Sequence, residues 1–255
     1  MAVRRKASLV VAAAAAGVMV LTGVANKAQA ISISAFNSPV TENFDTLSNA
    51  SASSTVPSGW AFLETGTNAD TNYSVGTGSS TTGDTFSFGA SASTERAFGG
   101  LRSGSLVPTI GATYTNSSGS TITDLAISYR GEQWRLGTAS RTDQLDFQYS
   151  LNATSLNTGT WVDVNALDFV SPFTTTIGAV DGNNAGLANI SSTISGLSIA
   201  DGSTFWIRWN DFDASGADDG LAVDNFSISA VPEPTSMGAF GLGLAGLLFR
   251  RRRAV

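Results

Sequence analysis

The chain has 255 residues, a formal net charge of −6, and neither cysteine nor histidine. Disulfides, thiolate chemistry, the usual zinc sites and histidine-based triads are therefore excluded. Stability has to come from an apolar core, and a body of about 200 residues is long enough to build one.

The N-terminus opens with Arg4, Arg5 and Lys6, runs apolar from Leu9 to Leu21, and reaches the small-x-small triplet Ala28-Gln29-Ala30. That three-part pattern predicts a cleavable signal helix over 1–30, cut after Ala30 by signal peptidase. The Arg4-Arg5 pair and Lys27 are compatible with twin-arginine export as well as with the general secretory route. The segment Ile31–Pro234 holds all 20 acidic residues, six of the 14 basic ones and no lysine, a net charge of −14. Such a body repels nucleic acid and anionic membranes, and it attracts divalent cations.

Within 31–230 the early part is Ser/Thr/Gly-rich, with 48–58 and 74–94 reading as long loops around short strands such as Thr85 to Phe88. Period-two alternation then dominates. Leu125, Ile127 and Tyr129 share one face; so do Leu145, Phe147, Tyr149 and Leu151; so do Phe205, Ile207 and Trp209, opposite Trp206, Arg208 and Asn210. Turn signals separate these runs at 116–120, 157–160, 181–184 and 200–203. The expected fold is all-β, a two-sheet antiparallel sandwich of jelly-roll type.

Two constellations carry candidate chemistry. In WNDFDASGADDG, the order Asp211, Asp213, Ser215, Gly216 is the first half of an EF-hand-type calcium loop, and Asp218 and Asp219 follow. Ala222 stands where the closing glutamate belongs, so a true EF-hand is excluded. The readings left are a Ca2+ site of different geometry and a solvated acidic turn. In YRGEQWRLG, the apolar parity shifts between Tyr129 and Trp134, which points to a β-bulge at Gly131. There Glu132, Trp134 and Arg135 form either a sugar-contacting group or a charge pair beside a core tryptophan. Trp206, facing away from the core side of its strand, is a further stacking candidate.

Catalysis has few routes in this body. A Ser–Lys arrangement is impossible without lysine, and no closely spaced glutamate pair of the glycosidase kind is present. The expectation is a non-enzymatic protein, with a glycosidase built from distant carboxylates as the open alternative.

The C-terminus has three parts: Pro232-Glu233-Pro234, a 15-residue apolar run from Thr235 to Phe249, and Arg250, Arg251, Arg252 and Arg253. As a helix the run spans roughly 22 Å, short of a ~30 Å hydrocarbon core. The four arginines would stay on the cytoplasmic side, leaving the body outside on a transient membrane anchor. Residues 231–255 resemble the PEP-CTERM sorting signal of exported bacterial proteins. The resemblance implies recognition by an exosortase, cleavage near the Pro-Glu-Pro, and release to the cell surface or extracellular matrix. ENFDTL at 42–47 and GLAVDNFSIS at 220–229 loosely resemble the opening and closing strands of lectin-like and carbohydrate-binding sandwiches. Together these features predict a structural or adhesive surface protein, or alternatively a module that binds extracellular polysaccharide.

The exported form should begin at Ile31 and lack Arg250–Arg253. Its intact mass reads both ends at once, and an extracellular species that retains the arginines would refute the assignment.

Overall fold

The computed structural model describes residues 29–232, so the signal segment 1–28, Ala28 included, and Glu233, Pro234, the apolar run 235–249 and Arg250–Arg253 lie outside the described residues. Six short strands come first: β1 (Ile31–Ile33), β2 (Val40–Glu42), β3 (Trp60–Thr65), β4 (Ser74–Gly76), β5 (Asp84–Phe88) and β6 (Ala97–Leu101). Three longer ones follow: β7 (Val107–Asn116), β8 (Asp124–Leu136) and β9 (Gln144–Ser150). After β10 (Val162–Asp163), β11 (Phe169–Val170) and β12 (Gly178–Ala179) come β13 (Leu187–Ile194), β14 (Thr204–Asp211) and β15 (Gly220–Val231). Among the described residues the only helical piece is a 3-10 turn at Asn165–Leu167, and no helix there is long and apolar enough to cross a membrane.

The strands form two sheets. One runs β1-β7-β14-β9-β10, with β3 on β7 and β11 on β9. The other runs β12-β8-β15-β6-β5-β4, with β13 on β8 and β2 on β15. Pairing is antiparallel except between β1 and β7 and between β4 and β5. The all-β sandwich expected from alternation is the fold observed.

Alternation decides which residues meet between the sheets. Phe205, Ile207 and Trp209 of β14 face Leu125, Ile127 and Tyr129 of β8 and Leu221, Val223, Phe226 and Ile228 of β15 in one buried cluster. Trp209 sits at its centre. It stacks on Trp60 at 6.0 Å and takes the ring edges of Tyr129, Phe147 and Phe226 at 5.1–5.6 Å. Such offset and edge-on pairs add to the burial of each ring.

Three local expectations are corrected. The stretch 42–47 is not a strand beyond Glu42: Phe44 adopts a left-handed φ of 56° and drops its ring into the core against Trp60. No bulge lies at Gly131, where the β8–β13 register runs unbroken from Leu125 to Glu132. The register with β15 shifts at two other places: β8 carries an extra residue at Trp134, between the pairs Gln133–Leu221 and Arg135–Gly220, and β15 carries one between Asp224 and Ser227, where Asn225 has φ 47°. That bulge moves the inward set from Leu221 and Val223 to Phe226, Ile228 and Ala230. Leu151 lies past the end of β9 and is exposed.

Removing the Trp209 indole leaves four aromatic partners around a void. Trp209→Ala should cost about 3–5 kcal/mol, read from the urea midpoint. A loss below about 1 kcal/mol would show that this stack is not the centre of the core.

Candidate functional site

The outer face of the β7–β14–β9 sheet carries Trp206, Arg208, Gln148 and Thr113, the residues that alternate with the core set. The loop 151–161 folds back over this face. It is held by its own side chains, with Thr158 Oγ1 accepting from Thr154 N at 2.9 Å and Asn152 Oδ1 from Thr160 N at 2.8 Å. Leu156 seats over Gly111, where a Cβ would come within 2.7 Å of its Cδ2 and 2.2 Å of the Ile207 carbonyl oxygen. Arg208 fastens the loop, donating to Gln148 Oε1 at 2.6 Å and to the Leu156 carbonyl, with its guanidinium 4.0 Å over the Trp161 ring. Trp206 does face outward as alternation required, but this loop leaves it only 8% exposed.

Between that loop and the segment 54–63 lies a groove of about 820 Å³ floored by Thr113, Thr204 and Trp206. Ser54, Thr55 and Ser58 line one wall, Thr154, Ser155 and Asn157 the other, and Gln29 and Ala30 reach its edge. None of its lining residues is ionisable. It offers hydroxyls, an amide and apolar surface, and no group able to move a proton near neutral pH.

The second constellation lies on the outer face of the other sheet. Trp134 is buried there, packed with Phe86, Phe88, Leu101 and Ala222 and stacked on Phe88 at 6.1 Å. The 181–186 turn presses on it, since a Cβ at Gly182 would meet the indole at 2.5 Å. Trp134 therefore presents no face to a sugar. Glu132, two residues earlier on the same face, is fully buried and accepts from Trp134 Nε1 at 3.0 Å. Arg135 donates to the Gly78 carbonyl at 3.2 Å, pinning a loop. The parity shift between Tyr129 and Trp134 reflects a sheet covered on both faces.

Sequence reasoning missed the partners of Glu132. Asp224, on the neighbouring strand, and Glu95, from the β5–β6 loop, bring carboxylate oxygens within 4.8 Å of one another and of Glu132. Arg130 lies 3.8 Å from Glu132 and 3.9 Å from Asp224, beyond hydrogen-bond distance from both. Burial, then the charges of Asp224 and Glu95, push the Glu132 carboxyl up to about 8. Burial, with Glu95 adding to it, takes Asp224 up to about 7.

The acidic stretch 211–219 is split by the strand rather than gathered. Asp211 ends β14 pointing inward and is 1% exposed, with no hydrogen-bond partner for either oxygen. Asp213 is in solvent, its side chain 75% exposed beside Arg102 at 3.2 Å, and Ser215 is exposed. Asp218 accepts from Ala214 N at 3.2 Å. Asp219 is buried, accepting from Gly137 N and Gln133 Nε2, both at 2.8 Å. Among the described residues, the carboxylates close enough to share an ion are Glu95, Glu132 and Asp224, not this set.

Residues 230–253 match the PEP-CTERM protein-sorting motif. The chain ends in a PEP-CTERM sorting signal. That signal marks an exported protein destined for the surface or extracellular space and for exosortase processing. Its first proline, Pro232, is exposed and directly follows the last residue of β15.

No curated protein matches the chain. Among solved structures it is similar to the CBM22-1 xylan-binding domain of Paenibacillus barcinonensis Xyn10C, at 12% identity and TM-score 0.37, covering 79% of this chain and 99% of that one. It is also similar to the K2 cleaved adhesin domain of Lys-gingipain, at 12% identity and TM-score 0.39, covering 75% and 98%. A family 35 carbohydrate-binding module from Clostridium thermocellum matches at 12% identity and TM-score 0.31, covering 75% and 97%. At that distance the likeness assigns no residue of this chain a role.

Burial, then Asp143 and Asp218, holds the Asp211 carboxyl well above its ordinary 3.8, and burial raises Asp218 to about 6. A folded-state pKa raised in this way means that the unfolded chain releases the proton first, so stability falls as pH rises above about 4. In chelator, the protein should melt at a lower temperature at pH 8 than at pH 5, and Asp211→Asn should shrink that difference. Identical pH dependence in the two proteins would remove Asp211 as a cause.

Proposed function

We propose that this chain is a non-enzymatic surface or matrix protein whose 31–230 sandwich holds a segment of neutral polysaccharide in the groove of the β7–β14–β9 sheet. The observation that carries the reading is the lining: a groove of about 820 Å³ with hydroxyls, amides and apolar surface but no ionisable side chain. Sugars are recognised by hydrogen bonds from such groups together with apolar contact to the ring faces. General acid–base hydrolysis needs a carboxyl or imidazole in reach of the bond, and this groove supplies neither.

Delivery follows from the two ends. Signal peptidase would cut at Ala30, one residue before β1 begins, and exosortase near Pro232, one residue after β15 ends. Neither cut removes a strand, so a transient membrane anchor can be lost without cost to the fold. The first cut would also detach Gln29 and Ala30 from the edge of the groove, widening it in the exported form.

Affinity electrophoresis of the exported protein against neutral polysaccharides and against alginate as a polyanion tests this reading. Retardation by at least one neutral polysaccharide is expected. Thr55→Trp, at an exposed position of the groove wall, should weaken it more than tenfold while leaving the melting temperature unchanged. Equal retardation of Thr55→Trp, or none by any neutral polysaccharide, overturns the proposal.

A further inference from the structure

Away from the groove, on the outer face of the other sheet, Glu132 and Asp224 come from the adjacent strands β8 and β15. Ala222 stands opposite Glu132 in the register, and Asp224 is two residues further along the same face. Glu95 reaches them from the loop before β6, and the 181–186 turn closes over it: Asn183 Nδ2 donates to Glu95 Oε2 at 2.7 Å. The second oxygens are what make this arrangement unusual. Glu132 Oε2 is held by the Trp134 indole and Glu95 Oε2 by Asn183, yet Oε1 of each is buried with no hydrogen-bond partner. Glu132 is 0% exposed.

We propose that Glu95, Glu132 and Asp224 bind one calcium ion. Their carboxylate oxygens lie within 4.8 Å of one another, so a point no more than about 2.8 Å from all three exists, and a small inward shift of the side chains brings them to calcium bonds of about 2.4 Å. Carboxylates oriented by an N–H on one oxygen and free on the other are arranged as metal ligands are when a surrounding layer of donors fixes them. The charge fits too: three carboxylates beside the lone Arg130 leave two negative charges, which a divalent ion neutralises. Arg130 does not serve in its place, because it stands 3.8–3.9 Å away and leaves Glu132 Oε1 unpaired. An all-oxygen set without histidine or cysteine disfavours zinc, and a buried site that strips water disfavours magnesium. Three carboxylates, each binding through one or two oxygens, supply three to six of the six to eight that calcium takes.

The ion would tie the β5–β6 loop and the 181–186 turn to the central strand pair. It is separate from the groove and from the 211–219 stretch, and the test distinguishes all three. Exported protein stripped with chelator is titrated with calcium while its melting temperature is followed. One calcium per chain and a rise of about 5–10 °C at hundredfold excess over the dissociation constant are expected. Sodium at matched ionic strength should not reproduce it. Terbium in place of calcium should luminesce on indole excitation, since Trp134 hydrogen-bonds a proposed ligand.

Glu132→Gln should abolish the calcium response, whereas Asp213→Asn should keep it. Should Glu132→Gln fail to fold, Asp224→Asn carries the same comparison. Loss of the response in Asp213→Asn, an undiminished response in Glu132→Gln or Asp224→Asn, or no calcium retained by the wild type each overturns the site.

Discussion

The pleat of β14 sets most of this molecule. Phe205, Ile207 and Trp209 turn inward and Trp209 gathers four aromatic rings around it. The same period, continued one step, carries Asp211 into the interior, where neither oxygen finds a donor. The strand cannot bury Trp209 without burying Asp211, because side chains two apart share a face. The alternate set, Trp206 and Arg208, is thrown outward, and an apolar ring there needs cover. The 151–161 loop provides it, packing Ala153, Leu156 and Trp161 about Trp206, and the groove lies between this loop and 54–63. Core, buried acid and groove thus follow from one strand's geometry.

Charge is distributed under a second constraint. Six arginines face 19 carboxylates between Ile31 and Val231, and each arginine is tied to a particular place. Arg96 is spent on Ser87 and main-chain carbonyls, Arg135 on Gly78, and Arg208 on Gln148 and Trp161. Only Arg102, Arg130 and Arg141 contact carboxylates among the described residues. Arg141 and nearby N–H donors meet the buried Asp143 and Asp219, whereas Asp211 and Glu132 each keep buried oxygens without a hydrogen bond, and burial raises both carboxyls.

What the sequence made legible was whatever local periodicity controls. The faces of β8, β9, β14 and most turns could be read directly, as could the sorting signal, whose three parts are contiguous. Non-local compensation could not be read. The parity shift across Tyr129–Trp134 is real, but its cause is the second apolar layer formed by Phe86, Phe88 and Leu101, residues that are far away in the chain. The bulge that does switch parity sits at Asn225, in a partner strand whose apolar residues are dense enough to hide it. Asp-x-Asp-x-Ser-Gly looked like a ligand series because alternating oxygens followed by a glycine open an EF-hand-type calcium loop. The strand ends at Asp211, and the chain turns there, so Asp213 goes to solvent. Of the groove only Trp206 was signalled, as an outward stacking candidate; its walls are Ser/Thr loops about a hundred residues apart.

The contrast between an acidic body and an uncharged groove narrows what the groove can take. A polyanionic polysaccharide approaching a sandwich of net charge −13 meets repulsion that salt screens only beyond about 8–10 Å. Inside the groove it would find no arginine to offset that cost, because Arg208, the nearest cation on that face, is already committed to Gln148 and Trp161. A neutral chain meets neither penalty. It exchanges water for the hydroxyls of Thr113, Ser155 and their neighbours and for the apolar surface beside Trp206. Under the proposed reading, the excess acid on the rest of the sandwich would select against charged glycans, while the binding surface itself would need no charge.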